Sequence, residues 1–146
     1  NSEDITIRRE HEKRIHHLAH HDTLTGLYNR FSLELRLEQA IAQSVRTGKQ
    51  LAVLFMDLDR FKLINDSLGH KAGDELLIQV SEKLKTICRR QSDIVARIGG
   101  DEFTVLIPEL KSSINESIQM CEQIANKVHN SLTKTFVVNK TEIKEN

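Results

Sequence analysis

The sequence predicts an α+β fold, a two-layer sandwich in which a mixed or antiparallel central sheet is flanked by helices. Short apolar runs at residues 51–56, 94–98 and 103–107 have the length and the β-branched character of strands. Longer segments between and around them repeat apolar residues every three or four positions, as amphipathic helices do. The predicted order after residue 20 is helix, strand, two helices, hairpin, helix and peripheral hairpin. This order favours an antiparallel sheet that helices cover on one side.

Residues 1–20 are polar and helix-permissive, with few apolar side chains, and we interpret them as a linker or signalling helix. Its histidines include two pairs four positions apart, His16 with His20 and His17 with His21. Such spacing can hold a metal ion on one helical face. A solvated helix is the alternative, because no acid or cysteine completes a conventional ligand set.

The apolar periodicity predicts three further helices. One covers residues 31–45 and is expected to end at Gly48, and the next covers residues 74–90. Another begins at Ser113, where a capping-box pattern starts. Residues 135–143 then predict a short pair of strands. A chain of 146 residues suits one domain with a continuous core.

Composition narrows the classes of function. Lys plus Arg and Asp plus Glu number 21 each, so net charge does not steer the protein toward nucleic acid or an anionic membrane. We therefore expect no nucleic-acid partner. We also expect no membrane contact by this segment, because no apolar run nears the roughly 20 residues of a bilayer span. Cys88 and Cys121 lack paired spacing and indicate core packing in a reducing compartment. The expected location is the cytoplasm, either alone or as part of a larger or membrane-anchored sensor.

Two acidic clusters each adjoin a predicted strand. Asp57 and Asp59 follow an apolar run short enough to be a strand buried on both faces. Asp101 and Glu102 follow two glycines, which are expected to supply the φ freedom of a hairpin turn. Adjacent carboxylates repel each other unless a metal ion or another cation offsets them. A shared metal site is therefore favoured over the alternative that Asp57 only caps the next helix.

Three spaced motifs resemble those of one family. Residues 22–30 read Asp-Thr-Leu-Thr-Gly-Leu-Tyr-Asn-Arg, residues 57–74 begin Asp-Leu-Asp-Arg-Phe-Lys, and residues 99–103 read Gly-Gly-Asp-Glu-Phe. In this order they resemble the GGDEF family of diguanylate cyclases. The resemblance implies a palm-like nucleotidyl-cyclase core over residues 21–146, preceded by the linker helix.

The resemblance implies an enzyme that condenses two GTP molecules into cyclic di-GMP and releases pyrophosphate at a homodimer interface. Asp57, the carbonyl of Leu58 and Asp101 match the family's Mg²⁺ ligands, with Mn²⁺ as an alternative ion, and all are hard oxygen donors. The implied catalytic residues are Asp101 as proton acceptor for the 3′-hydroxyl, Glu102 as support for a second metal or for that hydroxyl, and Lys62 as a countercharge to the triphosphate. A metal-bound carboxylate is a poor base, so the division between Asp101 and Glu102 stays open. An ordinary surface lysine is the alternative for Lys62.

For guanine recognition the resemblance indicates Asn65 and Asp74, because an amide and a carboxylate satisfy the O6 acceptor and the N1 and N2 donors of guanine. Adenine presents the opposite pattern, which disfavours an enzyme that uses ATP. Asp74 alternatively caps its helix, and the two roles are compatible. Glycines allow the backbone to approach the base and the phosphates closely. The implied GTP-binding residues are Phe61, Lys62, Asn65, His70, Asp74, Gly99 and Gly100.

Arg90 and Asp93 form an RxxD pattern that matches the family's inhibitory product site. The guanidinium offers a planar fork to a phosphate or a guanine edge, and the carboxylate accepts from guanine N1 and N2. Cyclic di-GMP would then be both product and feedback inhibitor. The alternative is an ordinary surface ion pair near a helix end.

One part of the family pattern is missing from the sequence. Neither a Ser-Ile-Gly-Ile-like strand nor a final helix with an ALYxAK-type motif appears. We therefore expect a truncated or incompletely represented domain, with poor catalysis by this stretch alone and a bare apolar sheet edge beside residues 51–56. The alternative function is a module that binds GTP or cyclic di-GMP and regulates a neighbouring domain, such as a phosphodiesterase.

Overall fold

The computed structural model describes residues 2–58, 61–88, 92–132, 135–138 and 141–144 of the chain. Helices and strands follow one another in the predicted order. In chain order they are α1 (Ser2–His20), α2 (Arg30–Thr47), β1 (Ala52–Asp57), α3 (Phe61–Leu68), α4 (His70–Ile87), β2 (Ile94–Gly99), β3 (Glu102–Ile107), α5 (Ile114–Leu132), β4 (Thr135–Val138) and β5 (Thr141–Lys144).

The main sheet has three antiparallel strands in the order β1-β3-β2. β2 and β3 form the predicted hairpin, and β3 lies between its two neighbours. β4 and β5 pair in a separate two-stranded sheet, which confirms the predicted strand pair. An antiparallel sheet packed against helices confirms the α+β class.

The two faces of the main sheet pack against different helices. Along β3, Phe103, Val105 and Ile107 point to one face, and Thr104 and Leu106 point to the other. The first face packs on α4 and α5, and the second packs on α2. The expectation that helices cover one side only is therefore corrected. The physical reason is that all five of these side chains are buried, so both faces of the central strand need a cover.

β1 differs from the strand that its sequence predicts. Its apolar run favours burial on both faces, which the structure contradicts. Within the described residues β1 lies at the edge of the sheet, in line with the bare edge expected beside residues 51–56. Leu54 and Met56 pack into the core on the α4 face, whereas Phe55 points to the other face and is 80% exposed. A continuous apolar run hides the alternation that would identify a strand with one open face, which explains the wrong prediction.

Capping interactions define the ends of two helices. At the start of α2, the side chain of Asn29 accepts a hydrogen bond from the amide of Ser32 at 2.9 Å. Gly48 ends α2 with a φ of 76° and donates its N–H into the last turn, so the predicted stop is confirmed. Ser113 precedes α5 as predicted, and its hydroxyl oxygen lies 3.5 Å from the amide nitrogen of Glu116.

α4 begins earlier than predicted, at His70. Gly69 precedes it with a φ of 93°, a conformation that glycine adopts at little steric cost. Asp74 therefore lies inside the helix, and the alternative that it caps α4 is wrong. Asp57 is the last residue of β1 and lies too far before Phe61 to be the N-cap of α3, so its capping alternative is wrong as well.

Cys88, just after α4, is buried, and Cys121 in α5 is half-buried; both are free thiols. Burial, with a smaller contribution from the charge of Asp93, raises the pKa of Cys88 to about 11. Burial also raises the pKa of Cys121. Both thiols therefore stay neutral at physiological pH and act as core side chains.

α1 is helical from Ser2 to His20, as predicted, and contacts α2. The side chains of His16 and His17 lie outside the described part of the chain, so the metal-binding alternative for the histidine pairs stays a prediction. Across the described ranges, none of the helices combines the length and apolar character that crossing a bilayer requires.

Candidate active site

The two acidic clusters meet at one end of the main sheet. Asp57, the last residue of β1, pairs in register with Glu102, the first residue of β3. Residues directly opposite each other in antiparallel strands lie about 4.5–5.5 Å apart at Cα and share a face of the sheet. The amide of Leu58 then donates to the carbonyl of Asp101 at 3.3 Å. The backbone thus brings four of the predicted site residues together, while Asp59 lies outside the described residues.

The turn between β2 and β3 consists of Gly100 and Asp101, with Gly99 opposite Glu102. A register shift between Arg97 and Gly99 marks a bulge just before the turn. Neither Gly99 nor Gly100 is among the glycines with positive φ, so this turn does not use a left-handed glycine. Gly100 provides space instead, since a Cβ atom built there has no neighbour within 4 Å. An anionic group can therefore approach the backbone of the turn.

The oxygen donors at this end of the sheet fit Mg²⁺ that binds together with a nucleotide. Mg²⁺ is usually held by one or two carboxylates and substrate phosphates, with water filling other positions. Asp57 and Asp101 offer carboxylates, and Leu58 offers a backbone carbonyl. Among the described residues, no three His, Cys, Asp or Glu side chains gather into a metal-binding group. Phosphate oxygens of a nucleotide and water would supply further ligands to such an ion.

Asn65 in α3 and Gly73 in α4 approach each other closely. A Cβ atom at position 73 would lie 1.8 Å from Oδ1 of Asn65 and 3.3 Å from a ring carbon of Phe61, so only glycine permits this approach. Oδ1 of Asn65 is buried and has no hydrogen-bond partner among the described residues. A buried acceptor without a donor calls for a ligand or a water molecule. The N1–H and N2–H donors of guanine have the chemistry that this acceptor requires.

Lys62 and Asp74 are exposed, and each directly follows in sequence a residue of the Asn65 contact, Phe61 and Gly73 respectively. His70 begins α4 one turn before Gly73. Lys62 follows Phe61 in the first turn of α3. No ion pair between described residues engages Lys62 or Asp74. The roles assigned to Lys62 and Asp74 from the sequence stay predictions.

The structure shows an ion pair between Arg97 and Asp22 that the sequence did not predict. Nη1 of Arg97 in β2 lies 3.1 Å from one carboxylate oxygen of Asp22 and 3.2 Å from the other. Asp22 also accepts hydrogen bonds from the amide and the hydroxyl of Thr25. Burial acts to raise the pKa of Asp22, but the bonds from Thr25 and the charge of Arg97 outweigh it and hold this pKa below its ordinary value. The sequence signal that could have revealed this contact is that Arg97 is the one charged residue in the apolar run 94–98.

The predicted inhibitory pair is described only in part. Arg90 lies outside the described residues, so its distance to Asp93 is not assigned. Asp93 is half-buried just before β2 and lines a cavity of about 520 Å³ with Tyr28, Lys85 and Cys88. The RxxD site stays a prediction.

Comparisons with known proteins identify the family. A family model described as "Diguanylate cyclase, GGDEF domain" matches residues 19–144. The bifunctional diguanylate cyclase/cyclic di-GMP phosphodiesterase MucR of Pseudomonas aeruginosa is 57% identical over 90 residues, which are 62% of this chain and 13% of MucR. Diguanylate cyclase TpbB of the same species is 52% identical over 96 residues, which are 66% of this chain and 22% of TpbB. The chain therefore spans only a minor part of these relatives.

Solved structures share the fold. The GGDEF domain of TpbB from Pseudomonas aeruginosa has a TM-score of 0.79 at 40% identity and covers 86% of this chain and 70% of that chain. The coiled coil and GGDEF domain of DgcB from Caulobacter crescentus, solved in complex with c-di-GMP, has a TM-score of 0.83 over 98% of this chain and 72% of that chain. At 23% identity this second likeness concerns the fold alone. Because the matched family model spans most of its residues, this chain belongs to the GGDEF domain family.

Proposed function

We propose that this domain is a diguanylate cyclase, a transferase that condenses two GTP molecules into cyclic di-GMP and releases two pyrophosphate molecules. The observation that carries the proposal is the pairing of β1 with β3, which sets Asp57 and Leu58 beside Asp101 and Glu102. Joining two nucleotides concentrates negative charge, so the site needs oxygen ligands for cations at one place.

Mg²⁺, or Mn²⁺ in its place, would be held by Asp57, Asp101 and the carbonyl of Leu58 together with phosphate oxygens. When bound, the ion neutralises charge on the phosphates and on the departing pyrophosphate. Lys62 adds a positive charge against the triphosphate, and Asp101 or Glu102 accepts the proton of the attacking 3′-hydroxyl. The open backbone of the turn leaves room for phosphate oxygens.

Selectivity for GTP is assigned to Asn65 and Asp74. The unmet Oδ1 of Asn65 accepts from one guanine donor, N1–H or N2–H, and the Asp74 carboxylate accepts from the other. Adenine has an acceptor at N1 and lacks the N2 amino group, so ATP would leave the Asn65 acceptor without a donor. Phe61, His70 and Gly99 complete the proposed GTP-binding set.

The chemistry of the product supports the proposed homodimer. Cyclic di-GMP has two equivalent phosphodiester bonds between two nucleotides, so a twofold symmetric pair of subunits, each with one GTP, is the simplest arrangement for making it. Product inhibition through Arg90 and Asp93 belongs to the same proposal. Arg90→Ala is expected to relieve inhibition by added cyclic di-GMP, and inhibition that stays unchanged in this variant would refute the assignment.

Incubation of the purified full-length protein with GTP and Mg²⁺, followed by detection of cyclic di-GMP by mass spectrometry, tests the activity. Asp101→Asn is expected to lower turnover at least about 100-fold, because it removes a charged oxygen ligand and a candidate base. Asp66→Asn is the matched control, since Asp66 is exposed on α3 outside the acidic clusters and its loss should change turnover by less than about twofold. If the full-length protein forms no product with Mg²⁺ or Mn²⁺, the cyclase proposal fails.

A regulatory binding module is the second candidate. Cyclic di-GMP phosphodiesterase NbdA of Pseudomonas aeruginosa is 52% identical to this chain over 89 residues. A similar domain thus occurs in a protein named for a different activity. Saturable binding of GTP or cyclic di-GMP without turnover would select the module, and product formation would select the enzyme.

A further inference from the structure

Both carbonyl groups of the hairpin turn are held by donors from outside it. The carbonyl of Gly100 accepts from Nε of Arg97 at 3.0 Å, and the carbonyl of Asp101 accepts from the amide of Leu58 at 3.3 Å. These carbonyls belong to the two peptide units on either side of the Asp101 Cα atom. Because peptide units are planar, fixing both of them fixes the direction in which the Asp101 side chain leaves the backbone.

The guanidinium of Arg97 is itself held in one orientation. Nη1 contacts both carboxylate oxygens of Asp22, and the two side chains are only 16% and 19% exposed. Asp22 is fixed in turn by the amide of Thr25 at 2.9 Å and by its hydroxyl at 2.8 Å. A planar guanidinium can serve the carboxylate and the turn at once, whereas the ammonium of lysine is a single point donor on a flexible stem.

The segment that carries Asp22 is tied to two other elements. Tyr28 donates its N–H to the carbonyl of Val95 at 3.2 Å, and its carbonyl accepts from the amide of Arg97 at 3.0 Å. Asn29 donates its backbone N–H to the carbonyl of His20 at 3.0 Å, at the end of α1. Backbone hydrogen bonds therefore connect the segment that carries Asp22 both to β2 and to the end of α1.

We propose that Arg97 is a positioning residue, which orients the Asp101 carboxylate by anchoring the peptide unit before it, with Asp22 as its fixed support. This inference rests on the proposed function, because Asp101 has the catalytic and metal-binding role given there. Arg97 acts on the reaction through the turn, since its Nε and Nη1 are engaged by Gly100 and Asp22.

Arg97→Lys tests the proposal, with Arg46→Lys as the matched control on an exposed residue in the last turn of α2. Displacement of a reacting group by about 1 Å can lower a rate about 100-fold, so we expect kcat of Arg97→Lys to fall roughly 10- to 100-fold. KM for GTP should rise less than kcat falls, because Asn65 and Asp74, the residues proposed to bind the base, lie on other elements, and only the phosphate side of the site adjoins the turn. Asp22→Asn leaves the bond from Nε to Gly100 in place and should lower kcat less than Arg97→Lys does.

Hydrogen exchange of the Leu58 amide is an independent measure, because this amide is bonded to the turn. Exchange should be faster in Arg97→Lys than in wild type and unchanged in Arg46→Lys. A kcat of Arg97→Lys within about twofold of wild type, a loss that falls entirely on KM, or unaltered exchange at Leu58 would each overturn the proposal. If the wild-type protein makes no product, the proposed function fails, and exchange at Leu58 decides the anchoring role alone.

Discussion

Gly73, in α4 where it meets Asn65 of α3, and Gly100, in the hairpin turn, have opposite surroundings. A Cβ atom at Gly73 would overlap Oδ1 of Asn65 at 1.8 Å, whereas one at Gly100 would meet nothing within 4 Å. Gly73 allows Asn65 to pack against α4, where the buried Oδ1 of Asn65 has no donor among the described residues. Gly100 leaves open space beside a turn whose carbonyl is bonded to Arg97. One corner of the site is thus shaped by close packing, and the other by space above a fixed turn.

Of the variants considered, Gly73→Ala is expected to have the largest effect on GTP affinity and stability. The added methyl group must displace the Asn65 amide, so GTP affinity should fall at least about 100-fold. Overpacking should also lower the free energy of unfolding by about 1–3 kcal/mol. Titration calorimetry with an unreactive GTP analogue and urea unfolding measure the two quantities. Affinity equal to wild type would show that this contact does not shape the base site.

Asn65→Ala should separate binding from folding in the same corner. GTP affinity is expected to fall about tenfold through loss of a hydrogen bond to the base. Stability should stay the same or rise, because the variant removes a buried acceptor that has no partner among the described residues. Asn126→Ala, on an exposed position of α5, is the control in both assays. A large loss of stability in Asn65→Ala alone would indicate a structural role for the amide instead.

Asp22→Asn tests the hairpin turn, because Asp22 contacts the Arg97 guanidinium that bonds to Gly100. The lowered pKa of Asp22 means that the carboxylate stabilises the fold at pH values above the ordinary aspartate pKa of 3.8, and that this contribution is lost as pH falls through the lower folded-state value. The variant should be about 1.5–3 kcal/mol less stable than wild type at pH 7, because it loses charge-assisted hydrogen bonds. The difference should shrink below about pH 4 in urea unfolding series. A difference that stays constant down to pH 2 would contradict the assigned role of the charge.

Gly100→Ala should have the smallest effect on folding. Its φ is not positive and its surroundings are open, so the free energy of unfolding should change by less than about 0.5 kcal/mol. Turnover should fall several-fold if phosphate oxygens approach this backbone. Comparison with Gly73→Ala in the same unfolding assay tests the contrast directly, and equal destabilisation of the two variants would remove it.

Local pattern was sufficient for much of the fold. The strands, the hairpin, the stop of α2 at Gly48 and the start of α5 after Ser113 all depend on neighbouring residues, and all were predicted. The two acidic clusters were likewise recognised because each adjoins a strand. Their meeting follows from the pairing of β1 with β3, which the motifs indicated and periodicity by itself did not.

The errors have a common physical origin in long-range packing. Whether both faces of β1 are covered depends on which elements pack against it, and its unbroken apolar run carries no alternation to show that Phe55 is exposed. The bond between Arg97 and Asp22 joins residues 75 positions apart. The register shift between Arg97 and Gly99, just before the turn, is likewise a property of strand pairing that residue type alone does not give.

Cys88 gives this domain a built-in reporter. Its thiol is buried between the end of α4 and the start of β2 and, with a pKa of about 11, is almost entirely protonated at neutral pH. A disulfide reagent such as Ellman's should therefore label it only when these two elements separate, whereas the half-buried Cys121 should be modified sooner. Local opening beside the Asp93 cavity can thus be followed spectrophotometrically in the native chain, without any introduced probe.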